Sequence, residues 1–91
     1  MARRSRLEIY FDILSVIDKG VTKPTRIMYK SNLSWSTLQE TFETLIQGGF
    51  IVEGMEDNGK RYQVTDKGRN ALFYYQKSLS GLPDIEQVLA R

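Results

Sequence analysis

The sequence contains no cysteine and no histidine. Their absence excludes disulfides, thiolate nucleophiles, imidazole bases and zinc sites built from these two residue types. A catalytic centre would have to use carboxylates, lysine, tyrosine or hydroxyls, and the sequence has no phosphate loop and no paired acid–base set. We therefore expect a protein that is not an enzyme and has no cofactor, and we identify no small-molecule ligand.

Long apolar runs are also missing, since none approaches the roughly 18–20 residues that a membrane span needs. The N-terminus leads into an amphipathic pattern rather than a signal-peptide core, so we expect a cytoplasmic protein without a membrane partner. The 91 residues are 41% hydrophobic and 26% charged, which is typical of one globular domain. Thirteen Lys and Arg against eleven Asp and Glu give a net charge of +2. This small excess permits binding to a polyanion without requiring it.

A first helix is predicted from residue 5 to residue 18, because apolar residues cover more than half of its helical wheel. Only Glu8, Asp12 and Ser15 form a polar strip, and Lys19-Gly20 is expected to end the helix. So wide an apolar surface predicts packing on two sides. In a small domain the second side suggests a partner chain.

Pro24 favours the first position of a short second helix to about Ser31. Ser34 is a good N-cap for a third helix that ends at Gly48-Gly49. The apolar stripe of the third helix is expected to face the core and consists of Trp35, Leu38, Phe42, Leu45 and Ile46. For Trp35, stacking on a base or a ligand is the alternative to core packing.

Residues 50–53 and 60–65 favour β-strands, and Asn58-Gly59 tolerates the positive φ angles of a hairpin turn. Alternation along the second strand places Tyr62 and Val64 toward the core. Thr65 is expected to cap a fourth helix that runs to about residue 80, followed by a tail of residues 81–91. The fourth helix has the seam spacing of a coiled coil at Gly68, Leu72, Tyr75, Leu79 and Leu82.

The predicted order is helix, helix, helix, hairpin, helix, which is a mainly α fold with a small β-hairpin (α+β). The tight Asn32-Leu33 link between the second and third helices makes this order typical of a winged helix-turn-helix. We expect one domain over residues 1–91. Residues 5–65 would form its winged core and residues 66–80 a dimerisation helix.

Two stretches carry a resemblance to a known family. Residues 25–34 contain Arg-Ile-Met-Tyr-Lys followed by Asn-Leu-Ser, and residues 59–68 contain Tyr-Gln-Val-Thr-Asp-Lys-Gly. Together they resemble the small archaeal winged-helix DNA-binding proteins, which are dimers joined through the C-terminal helix. The resemblance covers about residues 5–80, and its first string is the more specific. It implies a homodimer that binds double-stranded DNA as a transcription regulator or chromatin-associated factor, located in the cytoplasm with the nucleoid.

In such a fold the third helix enters the major groove with its N-terminal residues nearest the base edges. The base-reading candidates are then Ser34, Ser36, Thr37, Gln39 and Glu40. This helix has no Lys or Arg, so contacts to phosphates must come from its flanks. The phosphate-binding candidates are Arg3, Arg4, Arg6, Lys23, Arg26, Tyr29, Lys30, Lys60 and Arg61.

The expected dimer interface lies on the first and fourth helices and consists of Ile9, Ile13, Leu72, Phe73, Tyr74, Tyr75, Leu79 and Leu82. An alternative function is that of a winged-helix module that binds a protein and not DNA. The acidic exposed face with Glu40, Glu43 and Gln47 and the modest net charge motivate this alternative.

Overall fold

The computed structural model describes residues 4–80, so Arg3, Leu82 and the tail 81–91 of the sequence predictions lie outside the described residues. The elements follow the predicted order. They are α1 (Arg6–Asp18), α2 (Pro24–Ser31), α3 (Trp35–Gln47), β1 (Ile51–Glu56), β2 (Gly59–Val64) and α4 (Asp66–Ser80). No helix in this described part of the chain is long and apolar enough to cross a membrane.

Local capping contacts fix where the helices begin. At α1 the Ser5 hydroxyl accepts the Glu8 amide while the Glu8 carboxylate accepts the Ser5 amide, each at 3.1 Å. The Ser34 hydroxyl accepts the Thr37 amide at 3.2 Å to begin α3. The Thr65 hydroxyl accepts the Gly68 amide at 3.0 Å and so caps α4 as predicted. Each cap satisfies amides that have no partner inside the helix.

The hairpin differs from its predicted form. β1 and β2 are antiparallel and are closed by the pair Glu56 and Gly59, so the turn consists of Asp57 and Asn58 alone. Their φ angles are 53° and 63°, the left-handed values that a two-residue hairpin turn requires at both positions. The prediction that Asn58-Gly59 forms the turn is therefore wrong by one residue, and β1 extends three residues further than expected.

The core collects side chains from every element. Its fully buried members include Ile13 and Leu14 of α1, Ile27 of α2, Leu38 of α3 and Ile51 of β1. The predicted core side of β2 is confirmed at Tyr62, whose ring stacks on Phe42 with centroids 4.0 Å apart. The Tyr62 amide donates to the Thr22 carbonyl at 3.0 Å and ties the hairpin to the α1–α2 connection.

Two residues of the predicted α3 stripe are not in the core. Trp35 is 45% exposed and Ile46 is 37% exposed, while Leu38, Phe42 and Leu45 are buried as expected. The two exceptions sit in the first and last turns of the helix. Periodicity placed them on the same stripe as the core residues, but it could not show that the ends of the stripe stay exposed.

The second apolar side of α1 is covered by α4 of the same chain. Phe11 stacks on Tyr75 with centroids 4.0 Å apart and planes 3° from parallel. Gly68 brings the start of α4 against β1, since a Cβ there would collide with the Phe50 carbonyl oxygen. The expectation that the second side of α1 must meet a partner chain is therefore corrected for most of the helix. Leu7, in its first turn, remains exposed.

Candidate nucleic-acid interface

The predicted base-reading residues occupy the N-terminal half of α3. Ser36, Gln39 and Glu40 are exposed, and their side chains make no hydrogen bond within residues 4–80. Ser34 and Thr37 are partly engaged, because the Ser34 hydroxyl also donates to the Thr37 hydroxyl at 2.9 Å. Hydroxyl, amide and carboxylate groups together offer both donors and acceptors to a base edge.

One side of this helix faces the start of α1. Arg6 lies across an open groove of about 280 Å³ from Thr37 and Glu40. This places a guanidinium beside the reading residues, although Arg6 is more than thirty residues away from them in the sequence. The structure therefore brings Arg6 close to the predicted reading residues of α3.

The other side of the helix faces the hairpin. Gln39, Glu43 and Ile46 line a groove of about 210 Å³ opposite Glu53, Lys60 and Tyr62. Lys60 lies 3.8 Å from a Glu53 carboxylate oxygen, a loose ion pair that leaves much of its charge available. We call the surface formed by Arg6, Ser36, Gln39, Glu40 and Lys60 the reading face.

Lys60 and Arg61 do not form one patch. Successive residues of a strand point to opposite faces, and Lys60 is on the face of Tyr62 that lines the groove. Arg61 is therefore on the outer face, where its guanidinium donates to the Lys60 carbonyl at 3.0 Å. The two cations therefore lie on opposite faces of the hairpin.

A further cluster of cations runs along α1 and the end of α2. Arg4 donates to Asp12 at 2.8 Å and to the Asn32 carbonyl at 3.3 Å, next to the turn that precedes α3. It shares an open groove of about 320 Å³ with Lys19 and Lys30. Lys19 is absent from the sequence-based candidates because its position predicts only a helix end. No sequence signal connects it to Arg4 or Lys30, which lie fifteen and eleven positions away.

The remaining phosphate candidates on α2 are exposed but are not gathered by contacts. Lys23 is the N-cap residue of α2 and makes no side-chain capping bond. Arg26 and Tyr29 are exposed as well, and Tyr29 is 80% exposed. In the described part of the chain, neither side chain has a hydrogen bond or ion pair that would fix its position.

Tyr62 anchors the hairpin at the inner end of the groove. Its hydroxyl donates to the Glu53 carboxylate at 3.0 Å. Burial raises the pKa of Tyr62 from 10.0 to about 12, with further contributions from the hydrogen bond and the negative charge of Glu53.

Across residues 4–80 there is no group of acidic side chains that could hold a metal ion.

The described residues that were predicted for a dimer interface separate into three sets: buried, half-buried and exposed. Ile13 and Leu72 are buried in the chain's own core, so the expectation that they contact a partner is corrected. Ile9 and Tyr75 are half-buried, and Tyr75 is covered by Phe11. The exposed apolar residues of α1 and α4 are Leu7, Phe73, Tyr74 and Leu79, which we call the outer apolar face.

The comparisons with known proteins agree with this architecture. A family model described as winged helix-turn-helix matches residues 3–80. The uncharacterized protein MJ0287 from Methanocaldococcus jannaschii is 36% identical over 67 residues, which are 74% of this chain and 65% of that protein. The chain therefore spans just under two thirds of that relative's length.

Solved structures show the same fold. Sso10a-2, a DNA-binding protein from Sulfolobus solfataricus, is 24% identical with a TM-score of 0.69, over 96% of this chain and 94% of that one. FabT from Streptococcus pneumoniae, solved in complex with DNA, is 17% identical with a TM-score of 0.69, over 89% of this chain and 58% of that one. Together with the family match over residues 3–80, the helix-helix-helix-hairpin-helix architecture shows that this chain belongs to the winged helix-turn-helix family.

Proposed function

We propose that the chain is a homodimeric, non-catalytic protein that binds double-stranded DNA in the nucleoid, as a transcription regulator or chromatin-associated factor. One observation carries the proposal. The reading residues of α3 lie between two cations from distant parts of the sequence, Arg6 on the α1 side and Lys60 on the hairpin side. Phosphate contacts on both sides of a helix would hold it in register over the base edges.

In this proposal the N-terminal half of α3 reads sequence in the major groove. Gln39 is suited to adenine, Glu40 can accept from the amino group of cytosine, and Ser36 can contact several bases. Ser34 and Thr37 complete the set at the helix start. The phosphate contacts would come from Arg3, Arg4, Arg6, Lys23, Arg26, Tyr29, Lys30, Lys60 and Arg61, to which the geometry adds Lys19.

The outer apolar face supports the dimer. Phe73, Tyr74 and Leu79 present large apolar side chains on one helix, and Leu7 borders a groove between α1 and α4 that is lined by apolar side chains, Ala71 among them. Burying this surface against a second copy would remove it from water. A symmetric pair of chains would present two reading faces to paired half-sites.

A salt titration of duplex binding tests the proposal. A dimer with roughly 6–8 phosphate contacts should give a slope of about −5 to −7 in a plot of log affinity against log salt concentration. Fluorescence anisotropy of a labelled duplex measures this slope directly. A slope near zero, or no binding at low salt, would exclude the proposed contacts.

A second candidate function is favoured by one feature of the groove between α3 and the hairpin. Glu43 and Glu53 line this groove, and among the described residues that line it only Lys60 opposes their charge. A groove of this kind suits a basic segment of a partner protein. The chain would then bind an arginine-rich peptide with an affinity that falls as salt rises, and it would show no affinity for duplex DNA in the same buffer.

A further inference from the structure

Trp35 occupies an unusual place for a large aromatic residue. It is the first residue of α3 and is 45% exposed. In a helix each Cα–Cβ bond tilts toward the N-terminus, so a side chain normally covers the turn before its own Cα. At the first position there is no such turn, so the helix has no preceding turn of its own for the indole to cover. Its ring and its N–H have no stacking or hydrogen-bond partner in the described residues.

The helical wheel relates Trp35 to the groove between α3 and the hairpin. At about 100° per residue, Trp35 lies about 40° from Gln39 and about 20° from Phe42 and Ile46. All three of those residues line the groove. Trp35 therefore lies in the same row of side chains as these residues. It is one turn closer to the N-terminus of the helix, about 6 Å beyond Gln39 along the helix axis.

The groove between α3 and the hairpin runs from an inner end to an open end. On the hairpin its wall runs from Tyr62 to Lys60, which follows the turn by two residues. On α3 the wall runs from Ile46 at the inner end to Gln39 at the N-terminal end. Trp35 thus lies at the open end, where α3 would first meet the base edges.

We infer that Trp35 is a specificity-determining residue that packs against the 5-methyl group of a thymine in the major groove, beside the base pair that Gln39 reads. The inference rests on the proposed binding of DNA by α3. Thymine is the one base that presents an apolar group in the major groove. The neighbouring Ser34 and Ser36 offer only hydroxyls and Thr37 adds a single methyl group, so the indole is the largest apolar surface at this end of the helix.

A thymine-to-uracil exchange tests the contact, because uracil keeps the Watson–Crick pairing and lacks only the methyl group. The probes are two A·T-rich duplexes of one sequence, one with thymidine and one with deoxyuridine. We expect the wild-type chain to bind the thymidine duplex about fourfold more tightly for each methyl contacted. Trp35→Ala should bind both duplexes equally. The control is Val52→Ala, which shortens another exposed apolar side chain, one without an assigned DNA contact, and should keep the wild-type ratio.

A second measurement needs no substitution. Trp35 is the only tryptophan in the chain, so its fluorescence reports this position alone. Saturating thymidine duplex should protect it from quenching by iodide, and the deoxyuridine duplex should protect it less.

The outcomes separate the inference from the proposed function. Equal wild-type affinity for the two duplexes would overturn the thymine contact and leave DNA binding in place, as would a thymine preference that survives in Trp35→Ala. Unchanged iodide quenching in the bound state would also overturn the contact. Failure to bind either duplex at low salt would remove the proposed function and the inference with it.

Discussion

The groove beside the reading face and the outer apolar face both expose large apolar side chains, but their surroundings differ. In the groove between α3 and the hairpin, Ile46 lies together with Gln39, Glu43 and Lys60, so apolar and charged groups are mixed. Along the outer apolar face, Phe73 packs edge-on against Tyr74 at a centroid distance of 5.6 Å. The groove beside that face is lined by apolar side chains.

This difference indicates two kinds of partner. A mixed surface keeps its charges hydrated and suits a hydrated polyanion, whose affinity falls steeply with salt. Exposed apolar side chains gain by being removed from water, and this gain depends little on salt. The two proposed functions of the chain, binding DNA and binding itself, should therefore be separable by salt and by substitution.

The largest expected effect is a difference between substitutions at two adjacent residues of α4, one of which is buried and the other exposed. Leu72 is 4% exposed and belongs to the core, whereas Phe73 is 56% exposed. Leu72→Ala should lower the free energy of unfolding by about 2–5 kcal/mol because it leaves a cavity. The double variant Phe73→Ala, Tyr74→Ala should instead stay folded and sediment as a monomer. Urea unfolding and sedimentation velocity provide the two readouts.

A double variant that remained a dimer would contradict this contrast between the two sides of α4, since the outer apolar face would then not be the interface. A Leu72→Ala variant as stable as the wild-type chain would contradict it as well. Lys77→Ala is a useful control on the same helix. Its ammonium lies over the Phe73 ring at 5.8 Å, so it changes the edge of the face and leaves the apolar area in place.

A smaller effect should separate two neighbours within the reading face. Lys60→Ala removes a cation that neutralises a phosphate, so it should weaken binding about equally for all sequences and lower the salt slope by roughly one unit for each such cation removed. Gln39→Ala should leave the slope unchanged and reduce discrimination between base pairs by about 1–3 kcal/mol. Both follow from anisotropy titrations on a panel of duplexes at two salt concentrations. Identical sequence profiles for the two variants would contradict this division of roles.

Helix starts could be predicted from the sequence because the responsible contacts are local. Ser5, Ser34 and Thr65 each accept an amide hydrogen from the residue three positions ahead, and such a bond needs no information from the rest of the chain.

The sequence predicted a hairpin at the right place but not the residues that form its turn. Asn-Gly is the commonest turn pair, yet Asp57-Asn58 takes both positive φ angles here.

The arrangement of the candidate site could be predicted only in part. The sequence indicated that cations must flank α3, but it could not show that Arg6 and Lys60 reach its two sides, because packing between distant segments decides this. Apolar periodicity likewise could not tell whether Ile13 and Leu72 meet α1 and α4 of the same chain or a partner. A hydrophobic residue carries the same signal in both cases.

The smallest expected effect concerns the bond that fixes the hairpin side of the reading face. The Tyr62 hydroxyl donates to Glu53, and the pKa of Tyr62 is raised from 10.0 to about 12. Because the folded pKa lies above the unfolded one, this stabilisation is complete below about pH 10 and is lost as pH rises toward 12. Tyr62→Phe should cost about 0.5–1.5 kcal/mol at neutral pH and should lose less stability over the alkaline range. Urea midpoints between pH 8 and 12 measure both; parallel curves for the two proteins would mean that titration of the Tyr62 hydroxyl does not contribute to the stability of the fold.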